Sequence, residues 1–441
     1  MVVRRIALSI ALALGLGATG FLSGTASAAS GGGGNGGSGQ FKNLKPVKAP
    51  SPCANDPGVS DTEIKVGAIL PQTGPSAPSF AASEDGMRAR IDQANASGEL
   101  GKRKITLTVA DDAGDPARNV TAAQQLVEQN GVLGIIENSL AADASAKYLN
   151  QKGVPVAGWH LGLASFGTYP NMFGWRNSQP PDPATTFTNR DVLVLNKLGA
   201  TKIALVGANT SNSSTFINQI EQAVKLTPGL KVVYKTTDVS VSQRDFTAEA
   251  QKIKDSGADG LYTGMDFLQN VALSAALKQD NYNVKATVYP GGYDSRVVNL
   301  PGIDGVYFGL EVIPFEQNPP SFQAYKTQMQ KANKFFQGEI PYIGWLSADT
   351  FIEGIKAAGS SCPTRKGFIT NLRLEKNWSA HGAFAPIDFT TIFGRPFYCT
   401  YYVQVQNGGF VPSFGGKPVC ANEVISGKKV TKLTPAQQAQ G

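Results

Sequence analysis

Between Asp61 and Val411, short apolar runs alternate with longer stretches whose apolar residues recur every three or four positions. Residues 64–70 (IKVGAIL) read as a buried strand, 84–96 as a helix through Met87, Ile91 and Ala94, and 105–110 as the next strand. A helix over 117–129, with Val120, Ala123, Leu126 and Val127 on one face, leads to a strand at 132–136, a helix at 144–151 and a strand at 154–157. Continuous apolar strands alternating with amphipathic helices predict a parallel sheet covered on both faces. The pattern then restarts. Strands at 202–207, 231–234, 260–263 and 286–289 are separated by helices near 215–225, 246–254 and 268–278. The fold class is therefore α/β, with two doubly wound lobes. Residues 169–183 carry Pro, Asn and aromatics without periodicity and read as the crossing between lobes. Helices at 320–336 and 346–358 have no lobe-sized set of strands beside them and are expected to complete the first lobe. The strand-like run 397–405 is expected to return to the second.

Outside this body the chain changes character. Arg4 and Arg5, an apolar stretch over 6–16 and Ala26-Ser27-Ala28 form the pattern of an export signal covering 1–28. No cysteine follows the apolar stretch at the point where a lipid anchor would attach. Residues 31–39 (GGGGNGGSG) open a Gly/Pro-rich segment, 29–59, expected to be a flexible linker, and 416–441 reads as a loose tail. The expected division is 60–174 with 313–394 as lobe 1, and 175–312 with 395–415 as lobe 2.

Composition narrows the chemistry. The 441 residues hold two histidines, His160 and His381, so a multi-histidine metal site is excluded, and no C-x-x-C pair supports a zinc knuckle. The net charge of +7 is not gathered into a basic stripe, which argues against nucleic acid, and two of those charges sit in the export signal. Neither lobe carries a phosphate-binding glycine motif, so no nucleotide or other cofactor is expected. No G-x-S-x-G occurs, and a Ser–His–acid site would have to recruit one of only two histidines. An enzyme is not expected. Export makes the four cysteines, Cys53, Cys362, Cys399 and Cys420, most simply two disulfides. Three pairings are possible, and local closure of Cys362–Cys399 with Cys53–Cys420 joining the chain ends is the favoured one.

IKVGAILPQTGP at 64–75, DDAGDPARNVTAAQQLVEQNGVLGII at 111–136 and DFTAEAQKIKDSGADGLYTG at 245–264 stand in order along the chain. Together they resemble the type I periplasmic binding proteins, in particular the leucine/isoleucine/valine-binding proteins of ABC importers. The resemblance implies two α/β lobes joined by three crossing segments, with a solute trapped between them by hinge closure. It implies that Ser139, with Leu140 beside it, holds a solute carboxylate at a helix N-terminus, although a plain N-cap serine would look the same. It places Gly162 where a hydroxyl is usual, Asn212 where an aromatic is usual, and the acid that receives a solute ammonium near Gly291. Asp266 and Asp294 are the candidate substitutes for that acid. Phe80, Trp159, His160, Tyr289 and Tyr293 complete the candidate cleft and favour an amino acid, amide or aromatic solute. The implied protein is an exported monomer, secreted or held in the cell envelope or periplasmic space, that serves a membrane permease. A secreted sensor or carrier using the same fold is the alternative.

Overall fold

The computed structural model describes residues 41, 43–53, 56–80, 82–176, 179–425 and 429–431. The export signal and the glycine run, within 1–40, lie outside the described residues.

The first half runs β1 (Glu63–Leu70), α1 (Ser83–Ser97), β2 (Lys104–Asp111), α2 (Pro116–Gln124), β3 (Gly134–Glu137), α3 (Asp143–Gln151), β4 (Val156–Gly158), α4 (Ser165–Thr168) and β5 (Met172–Gly174). These strands form one parallel sheet in the order β2-β1-β3-β4-β5. Asp115 caps α2 by accepting from the Arg118 N–H at 2.9 Å, and Pro116 follows at the first helical position, where its missing N–H does no harm. The helix expected through 129 ends instead in a π-helical turn, Gln125–Gln129. β5 lies inside the stretch expected to be structureless. Three residues are too few for a period to show, yet all three are buried.

The chain then passes to a second sheet: β6 (Thr186–Thr188), α5 (Arg190–Lys197), β7 (Lys202–Ala208), α6 (Ser211–Lys225), β8 (Lys231–Val239), α7 (Thr247–Asp255), β9 (Gly260–Gly264), α8 (Phe267–Gln279), β10 (Ala286–Tyr289) and β11 (Tyr307–Leu310). It returns to the first sheet as α9 (Pro320–Lys331), α10 (Glu339–Ala358), α11 (Arg365–Arg373) and α12 (Phe389–Ile392), and crosses a third time into β12 (Cys399–Gln406). The remaining strands are β13 (Gly409–Pro412), β14 (Val419–Cys420), β15 (Glu423–Ile425) and β16 (Lys429–Thr431). The second sheet has the order β13-β12-β11-β10-β9-β7-β8, parallel from β8 to β11 and antiparallel at β12 and β13.

α10 is the centrepiece of the first core, with Tyr342, Trp345, Leu346, Phe351 and Ile352 buried among β1, β3 and α1 residues. Its approach to α1 depends on two glycines. A Cβ on Gly344 would lie 1.9 Å from the Ser83 carbonyl, and one on Gly86 would lie 1.7 Å from the Pro341 carbonyl. Buried Arg90 of α1 bonds Asp349 of α10 at 2.6 Å and Glu99 at 2.5 Å, so its charge is matched. No described helix is long and apolar enough to cross a membrane.

Three expectations about the chain ends are corrected. The disulfides are Cys53–Cys362 and Cys399–Cys420, not Cys362–Cys399 and Cys53–Cys420. The shortest loop does close, but it is the 21-residue one, because β14 pairs with β12 and sets Cys420 opposite Cys399. The segment before Cys53, expected to be free, lies against the first core. Phe41 is buried edge-on to Phe393, the Val47 N–H donates to the Asn371 side chain at 2.7 Å, and Asn371 donates back to the Val47 carbonyl at 2.8 Å. The expected loose tail contributes β14, and β15 and β16 form a small antiparallel sheet with β6.

Candidate functional site

Parallel strands deliver their following loops to one edge of a sheet, where helix N-termini present free N–H groups. Most of the candidate residues stand there. Phe80, Ser139, Leu140, Trp159, His160 and Gly162 follow β1, β3 and β4. Asn212, Asp266, Tyr293 and Asp294 follow β7, β9 and β10, and Tyr289 ends β10.

On the first sheet, Asn138 fixes the loops to one another. It donates to the Ser83 hydroxyl at 2.8 Å, and its oxygen accepts from the Trp159 N–H at 2.9 Å and from Ser347 at 3.0 Å. The Trp159 ring lies against buried Phe80, centroids 5.9 Å apart, and stays partly exposed. Ser139 is fully buried. Its hydroxyl donates to Asp112 at 2.5 Å and accepts from the Ala141 N–H at 3.1 Å. Its proton is therefore committed inward, away from any solute. Asn119 bridges Asp112 and Glu137, donating to each at 2.9 Å. Burial pushes the Glu137 carboxyl well above its usual range, with Asp112 adding to the effect against the Asn119 bond. Leu140, by contrast, is 40% exposed.

On the second sheet, Tyr289 is enclosed, its hydroxyl 2.6 Å from that of Ser274. Tyr293 packs on Phe315 and Phe410, donates to Glu316 at 2.6 Å and accepts from the Phe315 N–H at 2.8 Å. Asp294 is buried and holds Arg296 through both oxygens, at 2.9 and 2.6 Å. Asp266 caps α8 by accepting from the Gln269 N–H at 3.0 Å, and burial pushes its carboxyl up.

The two sides meet at the loop after β4. Asn212, in the first turn of α6, donates to the Leu161 carbonyl at 3.0 Å. Gly162 has φ +76°, and a Cβ there would stand 3.3 Å from the Asn212 side-chain oxygen. His160 is 3% exposed. Its Nδ1 accepts from the Gly162 N–H at 3.2 Å and lies 3.0 Å from the Gln179 amide nitrogen, so a neutral ring carries its proton on Nε2. That nitrogen faces Glu311 at 3.4 Å.

Glu311 leads a charged group that joins all three crossings. Arg176 donates to the Glu311 carbonyl and stacks on Phe397, 4.2 Å to the ring centre. Arg190 lies over the same ring at 4.9 Å, donates to the Phe397 carbonyl at 3.0 Å and pairs with Asp191 at 3.4 Å. Burial lowers Arg176 to about 10. Burial also opposes the Glu311 charge, but His160, Arg190 and Arg176 overrule it and hold that carboxyl below its usual range.

A carboxyl from another element stands beside Gly291. Glu339, the first residue of α10, accepts from the Gly292 N–H at 2.9 Å, and its own N–H donates to the Tyr293 carbonyl at 2.8 Å. Gly291 makes room, since a Cβ there would meet the Glu339 carboxyl at 2.8 Å. Burial pushes that carboxyl up to about 8; the Gly292 bond works against the shift, and Glu311 and Asp294 add to it. Neither Glu311 nor Glu339 was among the expected site residues. A first-turn glutamate is the ordinary partner of a helix dipole, and nothing in the pattern separates the two roles. A further concavity of about 310 Å³ lies elsewhere, on the open edge of the first sheet between β2 and α2, lined by Val109, Asp111, Arg118 and Leu126 among others.

The comparisons agree with this architecture. The family model described as "Periplasmic binding protein" matches residues 63–409. A Leu/Ile/Val-binding protein homolog 1 from Brucella abortus is 23% identical over 321 residues, 69% of this chain and 81% of that protein. The homolog 3 of Brucella melitensis is 26% identical over 214 residues, and there the chain spans only 54% of the relative's length. Among solved structures, a fatty acid ABC transporter substrate-binding protein from Thermomonospora curvata aligns with a TM-score of 0.69 at 19% identity, covering 87% of this chain and all of that one. A branched-chain amino acid ABC transporter protein from Thermus thermophilus with bound valine aligns with a TM-score of 0.70 at 14% identity, covering 82% and 97%. The family model spans most of the chain and the two sheets carry the fold it implies, so the chain belongs to the periplasmic binding protein family.

Proposed function

We propose that the chain is the solute-binding component of an ABC importer and captures a small organic solute between its two sheets by hinge closure. The bodies that move are 60–174 with 313–394 and 175–312 with 395–415. The observation that carries this reading is the meeting of loops from both sheets at one place. Asn212 reaches Leu161 from one side, and Glu339 reaches Gly292 from the other. A solute between such loops touches both bodies and so favours the closed arrangement over the open one.

The relatives are named for branched-chain amino acids, and a structural neighbour for a fatty acid, so the common demand is an apolar body with one polar head. Trp159 on Phe80 offers a partly exposed ring for that body. Amino acids, amides and small aromatics are the solutes to try, with no catalytic step, and a permease is the partner. Thermal-shift screening of such a panel tests the reading. A binding solute at a hundred times its Kd adds about 2.7 kcal/mol. A broad panel that leaves the melting temperature unmoved would remove solute capture. Recovery of a sensor protein instead of a permease from envelope fractions would favour the sensor alternative.

A further inference from the structure

The loop between α9 and α10, residues 332–338, belongs to the first body, and the loop after β10, residues 290–296, belongs to the second. The two are joined as a short piece of antiparallel sheet. Asp294 stands opposite Gly338, the Ser295 N–H donates to the Gln337 carbonyl at 2.9 Å, and the Glu339 N–H donates to the Tyr293 carbonyl at 2.8 Å. The Gly292 N–H adds its bond to the Glu339 carboxyl at 2.9 Å. Arg296, held by both oxygens of Asp294, lays its guanidinium 4.4 Å from the centre of the Phe335 ring. Gly338 lets the two loops approach, since a Cβ there would stand 2.9 Å from an Asp294 oxygen. Every partner in this bridge is a group of the protein itself.

Both halves of the bridge are fixed to their own bodies. Lys334 is tied to α1 through Asp85 at 2.9 Å, and its N–H donates back to the Met329 carbonyl of α9 at 2.9 Å. On the other side, the Tyr293 ring packs on Phe410 of β13, 4.6 Å between centroids. Neither loop can peel off its body and stay with the other, so separating the bodies breaks the bridge. At the loop after β4 the bodies meet more lightly, through the Asn212 side chain on the Leu161 carbonyl. Water replaces a side-chain bond of that kind at small net cost.

We infer that this bridge holds the two bodies together whether or not a solute lies between them, so that the free protein rests closed and opens only as the bridge breaks. Closure driven by a solute alone needs no such bonds, because the solute shifts the balance by its own differential contacts. Bonds between the bodies themselves shift that balance before any solute arrives. A solute then enters only the open fraction, and its apparent affinity is reduced by that fraction. Its departure waits on the same bonds. The inference concerns the free protein and goes beyond the capture reading.

Hydrogen exchange on the whole protein, without solute, tests it. The Ser295 N–H bonds only across the seam, and Glu339 is the first residue of α10, whose N–H no helix bond uses. Protection of these two amides therefore reads closure directly. Both should exchange about a hundredfold slower than in an unstructured chain, which corresponds to an open fraction of about 1%. Exchange at the unstructured rate, or protection that appears only when solutes are added, would overturn the resting closure. Gly338→Val sets a branched side chain against Asp294 and the Phe335 ring, at a position whose extended backbone (φ −145°) suits any residue. It should speed exchange of both amides about tenfold while the amides of β1 and β9 keep their rates. Phe335→Ala removes only the ring beneath Arg296 and should speed them about threefold, which keeps the test open if the valine variant does not fold. Unchanged protection in a folded variant would overturn the bridge as the holding contact. The measurement uses no solute, so a panel in which nothing binds overturns the capture reading alone.

Discussion

Behind β3, Asp112 and Glu137 are wholly enclosed; at the seam between the sheets, Glu311 and Glu339 keep part of their surface open. Both pairs put two acids close together, yet the surroundings give them different work. Asp112 accepts from Ser139, Asn119 and the Gly114 N–H, so its hydrogen bonds hold three pieces of one sheet edge in place. Glu339 takes one N–H from the opposite body and has no other side-chain hydrogen bond among the described residues. An acid surrounded by donors on its own body maintains a shape. An acid at a seam between two bodies, with a single donor, is left with its charge unsettled.

The largest effect should come from the enclosed pair. Asp112→Ala leaves Ser139, Asn119 and a backbone N–H unmatched in the interior and should cost about 3 kcal/mol in denaturant unfolding. Loss of solute binding without loss of stability would show that the cluster belongs to the site instead. Next comes the loop where the bodies touch. Gly162→Ala forces a left-handed backbone on alanine and crowds Asn212, which should cost about 1 kcal/mol and weaken solute retention. A variant as stable and as tight as the parent would detach this loop from closure. The smallest effect is a pH dependence. The Glu339 carboxyl titrates higher in the folded than in the unfolded chain. Its contribution is therefore full below the ordinary carboxylate range and lost as pH rises toward about 8. Glu339→Gln should match the parent near pH 4.5 and exceed it by about 1 kcal/mol near pH 8.5 in melting experiments without solute. Equal stability at both ends would show that solvent already relieves this carboxyl.

The elements most legible in the sequence were those with a period long enough to count. The eight-residue β1 and the fifteen-residue α1 stand close to where their apolar spacing puts them, while three-residue β5 hides in a Pro- and Asn-rich crossing. The disulfide pairing was not legible, because it depends on β14 folding back along β12, and a two-residue strand leaves no pattern. The placement of the candidate residues was legible as a set of loops more than as a set of side-chain contacts. Tyr289, Tyr293 and Asp294 end or follow β10 as expected, but direct their polar atoms at Ser274, Glu316 and Arg296. Glu339 was invisible because it comes from a helix that returns after the second sheet is built, and no spacing along the chain measures that distance.

The segment from Phe41 to Cys53 has a mechanical consequence. Phe41 lies 5.3 Å from the Arg373 guanidinium, which also stacks on Phe173 and Phe393, and twelve residues later the disulfide to Cys362 anchors the same segment covalently. Tension applied to the chain ahead of Phe41 is therefore borne first by that aromatic cage, then by the Val47–Asn371 clasp, and finally by a covalent bond into the turn between α10 and α11. It does not reach β1, which begins ten residues further on at Glu63. A chain held by its N-terminal end would hang from the first body alone, and the second would swing without working against the tether.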